Sequence, residues 1–320
     1  MKDRNVGRSG LRISVVGLGC NSFGERIGPD ESRAVIHRAL DRGITFFDTA
    51  DVYAEAQSEG IVGEALKGQR HRVVLATKFG LTVQRPRRTA GASRQYIMTA
   101  VERSLRQLGT DWIDLYQMHV PDPRTPIEET LRALDDLVRQ GKIRYFGCSN
   151  MPAWQVVDAA WTATLHHMNG FVSCQAECNL LSRDAERELI PALQASGLGL
   201  LPYQPLAAGL LTGKYRSDQP PPADTRLAKS PHLARRYMTP ANMSVVAKLN
   251  AYAQERGRTL VELAFAWVLA RPSVACVMAG ATRPDQVDQN AAAITWELTA
   301  EELGDIERIA TADTGVGGAP

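Results

Sequence analysis

The chain has 320 residues, a mass of 35.0 kDa, 44% hydrophobic and 22% charged residues. That is an ordinary globular composition, long for one average domain and within the range of a single α/β barrel spanning 1–320. A net charge of +2 gives no bulk attraction to nucleic acid or to an anionic membrane.

The polar start "MKDRNVGRSG" lacks the apolar core of a signal peptide, and no run approaches the ~20 apolar residues of a membrane span. Cys20, Cys148, Cys174, Cys178 and Cys276 are odd in number and lie mostly in apolar runs, which suits a reduced, cytoplasmic chain. Cys174 and Cys178 are spaced C-x3-C, but no second Cys/His pair has zinc-site spacing, so no structural metal is expected.

In chain order, "NVGRSGLRIS" carries turn glycines between short runs and reads as a hairpin closing the bottom of the fold. Eight β-runs follow: "ISVVGLG", "ITFFDTA", "RVVLATK", "IDLYQMH", "IRYFGCSN", "FVSCQAECN", "LGLLPYQPL" and "VACVMAGA". Their continuous rather than alternating hydrophobicity marks strands buried on both faces, as in a parallel sheet. Helical patterns separate them. "DESRAVIHRALDRG" starts acidic and closes on Gly43. "SRQYIMTAVERSLRQLG" offers Ser93 as N-cap and Gly109 as C′. "TPIEETLRALDDLVRQGK" offers Thr125 as N-cap and Pro126 at N1. Most strand starts lie about 29 residues apart, one βαβ period, with longer connections after the third and seventh strands. The pattern predicts a (β/α)8 barrel. A doubly wound sheet is the rival, but Gly17, Gly19 and Gly24 do not space as G-x-G-x-x-G, and the next helix opens only near Asp30.

In such a barrel the C-terminal strand ends meet at one mouth. Here they carry Asn21 and Ser22, Asp48 and Tyr53, Lys78, His119, Ser149 and Asn150, Gln175 and Asn179, and Tyr203 and Gln204. Singly, Asp48 reads as a turn cap, Tyr53 as packing, Lys78 as a solvated charge and His119 as a structural histidine. Jointly they suit acid chemistry. A phenol is too weak an acid at neutral pH, an ammonium beside it lowers its pKa, and a carboxylate holds that ammonium. An imidazole can bind the oxygen of a carbonyl that becomes an alkoxide. A Schiff-base role for Lys78 is the alternative on the same residues.

The segments "FFDTADVY", "ATKFG", "YQMHVPDP", "GCSN", "CQAECNLLSR", "LPYQPLAAGLLTGKY" and "GATRPDQVDQN" give the chain a resemblance to the aldo-keto reductase superfamily along almost its whole length. It looks most like the bacterial branch with short C-terminal loops, which also contains potassium-channel β-subunit-like proteins. The resemblance implies NADPH-dependent reduction of an aldehyde or ketone, with Tyr53 as proton donor, Lys78 and Asp48 tuning it and His119 orienting the carbonyl. It implies that Ser149, Asn150 and Gln175 hold the nicotinamide carboxamide and that Tyr203 stacks on the ring. Leu206, Gly209 and Lys214 would run along the pyrophosphate. Thr282 and Arg283 would lie at the adenosine 2′-phosphate and Gln286, Gln289 and Asn290 at the adenine, with Gly280 a further cofactor-binding residue. A guanidinium near a 2′-phosphate favours NADPH physically as well. The alternative that the resemblance carries is an NADP(H)-binding, redox-sensing or partner-binding subunit with slow turnover. An intact tetrad, and no long N-terminal extension to act on a partner, favour the enzyme. Homo-oligomerisation stays open.

Gln204, Cys178, Met151 and "VMAGA" depart from the usual pattern, away from the tetrad. Asp51 reads as a turn or solvent-facing residue. The arginine-rich "QRPRRTAGASR", with Arg85, Arg87, Arg88 and Arg94, reads as a solvated loop on the catalytic side, or as an attractor of anions. "SDQPPPADTR" reads as a rigid loop flanking the cofactor or a subunit contact. The five tryptophans, Trp112, Trp154, Trp161, Trp267 and Trp296, read as packing, and His166-His167 as a helix end without a ligand role.

Overall fold

Two short strands, β1 (Asp3–Asn5) and β2 (Arg12–Ser14), form an antiparallel ribbon at the N-terminus. The structure, a computed structural model, describes residues 1–81, 91–217 and 219–311. Eight further strands are β3 (Val16–Gly19), β4 (Phe46–Asp48), β5 (Val74–Phe79), β6 (Ile113–Met118), β7 (Ile143–Ser149), β8 (Ser173–Glu177), β9 (Gly199–Tyr203) and β10 (Val277–Gly280). They run parallel in the order β10-β3-β4-β5-β6-β7-β8-β9. The segment leading into β10 also meets β9. Leu200 N donates to Ser273 O at 2.6 Å and Ala275 N to Leu200 O at 3.2 Å, which closes the sheet into a (β/α)8 barrel.

The barrel interior is filled by Phe46, Ala76, Leu115, Leu201, Ala275, Cys276 and Met278. Val6, Leu11 and Ile13 of the hairpin join this cluster from below, so the ribbon stoppers the barrel floor as expected. The approach is close. Gly7 has φ +57°, and a Cβ there would sit 2.4 Å from the carbonyl of Gly197, so only glycine fits.

A second apolar layer separates the strands from the helices. The helices are α1 (Pro29–Asp41), α2 (Gln57–Ala65), α3 (Arg94–Leu108), α4 (Ile127–Arg139), α5 (Ala153–Leu165) and α6 (Leu189–Ser196). The long connection after β9 carries α7 (Arg226–Lys229), α8 (Pro231–Tyr237), α9 (Pro240–Glu255) and α10 (Leu260–Leu269). Then α11 (Pro284–Ala292) and α12 (Ala300–Thr311) follow β10.

Ser93 caps α3 by accepting from Tyr96 N, and Gly109 ends the helix with φ +58°. The start of α4 differs from the expectation. Pro126 is its N-cap and Ile127 its first residue, because the Thr125 hydroxyl donates to Asp122 Oδ2 at 3.0 Å instead of capping. Trp267 and Trp296 are buried and Trp112 lies against Arg70 and Arg144, but Trp154 and Trp161 do not pack inward: they are 67% and 70% exposed on α5. Among the described residues no helix is long and apolar enough to cross a membrane.

Candidate active site

Side chains alternate along a strand, so the residue two beyond an interior one is interior again and one layer nearer the mouth. Two residues beyond Phe46, Ala76, Leu115, Leu201 and Met278 stand Asp48, Lys78, Gln117, Tyr203 and Gly280. His119 follows Gln117 by two more. The polar mouth is therefore the next storey of the same wall that makes the apolar core.

Lys78 is fully buried, and its Nζ donates to Asp48 Oδ2 at 2.5 Å, to Thr49 O at 2.9 Å and to Tyr53 OH at 3.3 Å. Gln117, which the sequence reading missed, donates from Nε2 to Asp48 Oδ1 at 2.9 Å and stands in register with Lys78. Each carboxylate oxygen of Asp48 thus has a donor. Continuing the alternation from Leu115 along β6 would have pointed to Gln117.

Burial opposes the ammonium of Lys78, but Asp48 and then Tyr53 outweigh it, and the pKa rises. Lys78 stays charged. Tyr53 departs from the expectation of a strengthened acid. Burial is its largest influence, exceeds the attraction of Lys78, and leaves the phenol above its ordinary pKa. Lys78 restrains this rise rather than reversing it. The His119 imidazole is pushed down to about 3 by burial and then by Lys78, so it is neutral at pH 7. Its ring stands edge-on to Tyr53, centroids 5.9 Å apart at 85°.

The chain leaves Tyr53 under strain. Ala54, Glu55 and Ala56 all have left-handed φ, at 48°, 56° and 72°. Such conformations cost an L-residue roughly 1–2 kcal/mol each, so the surroundings must hold this turn in place. Asp51 is one of the holds, and it is not solvent-facing. It is buried, accepts from Arg103 Nη2 at 2.7 Å and from Tyr96 OH at 3.3 Å, and its N–H donates to Lys78 O at 3.2 Å. Sequence spacing gave no sign of this, because Arg103 comes from α3, across the strand–helix layer.

Behind the same wall Glu59 is completely buried and accepts from Thr77 Oγ1 at 2.6 Å. Burial raises its pKa from 4.5 to about 7. The folded chain therefore keeps a proton that the unfolded chain releases between those values. The contribution is fully present below pH 4.5 and is lost as pH rises through about 7. Glu59→Gln, neutral at every pH, is expected to remove that part of the slope, worth at most about 3 kcal/mol at pH 8. Melting temperatures of both proteins from pH 4.5 to 8 test this. Curves that stay parallel would show that Glu59 keeps an ordinary pKa.

The far side of the mouth is tied together by Asn150, which adopts φ +55°. Its Nδ2 donates to His119 O and to Ser149 Oγ, both at 3.0 Å, and Tyr203 OH donates to its Oδ1 at 2.9 Å. The Nε2 of buried Gln175 has no hydrogen-bond partner among the described residues. After β9 the chain turns tightly: Ala207 N donates to Gln204 O at 2.9 Å and Gly209 N to Leu206 O at 2.8 Å, and Gly209 has φ +96°. Burial and the nearby Arg26 and Arg283 lower the pKa of Lys214. Burial and Arg26 do the same to Arg226, which also feels Tyr53. Arg26 and Arg226 were not singled out from the sequence, although Arg226 ends the "SDQPPPADTR" segment that was.

At the end of β10, Thr282 N donates to Gln286 Oε1 at 2.8 Å and Arg283 pairs with Asp285 at 3.1 Å. Asn290 is buried and Gln289 exposed. The tetrad is brought together, while Thr282 and Arg283 with Gln286, Gln289 and Asn290 stand apart from it around α11. Arg94 lies in α3 and pairs with Asp136 at 2.6 Å. Arg85, Arg87 and Arg88 lie outside the described residues.

A closed parallel barrel whose mouth joins a buried carboxylate and ammonium to a half-buried phenol and a neutral imidazole has groups suited to acid–base chemistry. Residues 15–311 match the model described as the aldo/keto reductase family. The chain belongs to that family of oxidoreductases acting on carbonyl groups. It is 36% identical over 318 residues to a probable voltage-gated potassium channel subunit beta of Oryza sativa subsp. japonica, covering 97% of this chain and 96% of the relative. It is 35% identical over 333 residues to versiconal hemiacetal acetate reductase of Aspergillus parasiticus, covering 96% of each.

Proposed function

We propose that the chain reduces an aldehyde or ketone to an alcohol, using NADPH, with Tyr53 as proton donor. The observation that carries this is the continuous contact from Asp48 through Lys78 to Tyr53, with a neutral imidazole facing the phenol. A Tyr53 pKa above the ordinary value keeps the hydroxyl protonated at neutral pH, the form a donor needs. His119, uncharged, donates a hydrogen bond to the carbonyl oxygen without competing for the proton. Lys78 stabilises the phenolate left after transfer.

The residues present fit a nicotinamide dinucleotide. The unpartnered Gln175 amide, with Ser149 and Asn150, suits a carboxamide, and Tyr203 suits a ring face. Lys214, beside Gly209, and Arg226 both feel the charge of Arg26, and this collection of cations suits a pyrophosphate. Thr282 and Arg283 suit the adenosine 2′-phosphate, Gln286, Gln289 and Asn290 the adenine, and Gly280, at the end of β10, a further cofactor contact. When bound, the cofactor supplies the hydride.

Arg283→Ala is expected to weaken NADPH binding about tenfold or more and NADH binding little. A hydrogen bond to a charged group is worth about 1.5–3 kcal/mol. Fluorescence titrations with both cofactors decide it, and equal losses would place the 2′-phosphate elsewhere.

A second reading is an NADP(H)-binding, redox-sensing or partner-binding subunit with slow turnover, and the relatives named as channel subunits support its partner-binding part. An NADPH-oxidation screen over aldehydes, ketones and sugar phosphates separates the two. The enzyme turns over many equivalents with at least one of them. The subunit oxidises little more than its bound cofactor over the same time.

A further inference from the structure

Five large hydrophobic side chains are markedly exposed among the described residues, and four of them, Trp154, Val157, Trp161 and Leu165, lie on α5. Their spacing of three, four and four residues puts them on one face, opposite the buried Val156, Ala159 and Ala163. The stripe runs about 16 Å along the helix. Two indoles two-thirds exposed, with Leu165 and Val157, present roughly 400–500 Å² of apolar surface. That is the size of the largest apolar patch on an ordinary monomer, about 300–600 Å², which is often functional.

We propose that α5 is the centre of a two-fold contact between two copies of this chain, packed antiparallel through the Trp154–Leu165 stripe. The stripe is complementary to itself. Centred between Ala159 and Ala160, the antiparallel arrangement sets Trp154 of one copy on Leu165 of the other. It also sets Asp158, the only charge within the stripe, opposite the indole N–H of Trp161. The neighbouring α4 agrees. Its first turn is acidic at Glu128 and Glu129 and its last is basic at Arg139. The same axis runs α4 antiparallel to α4 of the second copy and brings acidic ends to basic ends. The stripe supplies about half of the ~800 Å² that each partner contributes to a stable interface, and the flanks of α4 and α6 supply the rest. An anionic membrane is a poorer occupant, because Asp158 lies within the stripe and Glu128 borders its end beside His166, where a membrane-seeking helix carries lysine and arginine.

The test is the solution mass of the full chain by sedimentation at micromolar concentration. Wild type is expected near twice 35.0 kDa, or a higher even multiple, and Trp154→Glu/Trp161→Glu at half the wild-type mass with an unchanged circular-dichroism spectrum. Trp161→Phe, which keeps an apolar ring, is expected to retain the wild-type mass. Mixing a Trp154→Cys chain with a Leu165→Cys chain under mild oxidation should give a disulfide-linked heterodimer in excess of either homodimer. A monomeric wild type would overturn the proposal, and so would an assembly that survives the double substitution. Co-sedimentation of wild type but not the double variant with phosphatidylserine vesicles would replace the second copy with a membrane.

Discussion

Tyr53→Phe is expected to lower kcat for carbonyl reduction by about 10²–10⁴, the usual share of a positioned proton donor, while NADPH affinity stays within a few-fold of wild type. The substitution removes one oxygen and keeps the ring, so the edge-on contact with His119 survives. Lys78 loses only its longest hydrogen bond, at 3.3 Å, and keeps Asp48 and Thr49. The lysine therefore stays in place and the loss belongs to the proton. The comparison is steady-state kcat with a substrate found in the screen, beside a cofactor titration. A variant with near-wild-type kcat would exclude Tyr53 as the donor. A variant that loses NADPH affinity in parallel would give Tyr53 a binding role instead.

Lys78→Met is expected to act on two properties at once. The first is the pH profile. Lys78 is the attraction that restrains the rise in the Tyr53 pKa, so its removal raises that pKa further. Oxidation of an alcohol uses the phenolate as base, and its profile should move to higher pH. Reduction uses the protonated phenol, so its decline at high pH should be delayed while its maximal rate falls, because a weaker acid donates. Each unit of displacement is about 1.4 kcal/mol of charge interaction. The second property is stability. Without the ammonium, Asp48 is a buried carboxylate left with Gln117, and breaking a buried pair typically costs about 3–5 kcal/mol. Asp48→Asn/Lys78→Met should recover much of the melting temperature and none of the rate. A pH profile that falls in height without moving would make Lys78 an orienting group. Full activity in both directions would remove it from the mechanism.

Much of this protein can be read from its sequence, and the reason is periodicity. Strands buried on both faces have to be continuously apolar, and helices packed on a barrel have to repeat at 3.6. Together the β-runs and the helical patterns between them specify the architecture without any long-range information. Asp48, Lys78 and His119 could be found because a parallel barrel sends every C-terminal strand end to one mouth. What only the tertiary structure decided depends on partners distant in sequence. The Asp51–Arg103 pair joins the Tyr53 turn to α3, and Gln117 completes Asp48 from two strands away. Whether burial or Lys78 governs the phenol is a contest between desolvation and charge that depends on distances, and burial wins. The outward turn of Trp154 and Trp161 is of the same kind. Their segment is helical and apolar enough to have either face inward, and the small Ala159 and Ala163 are what fit against the barrel wall.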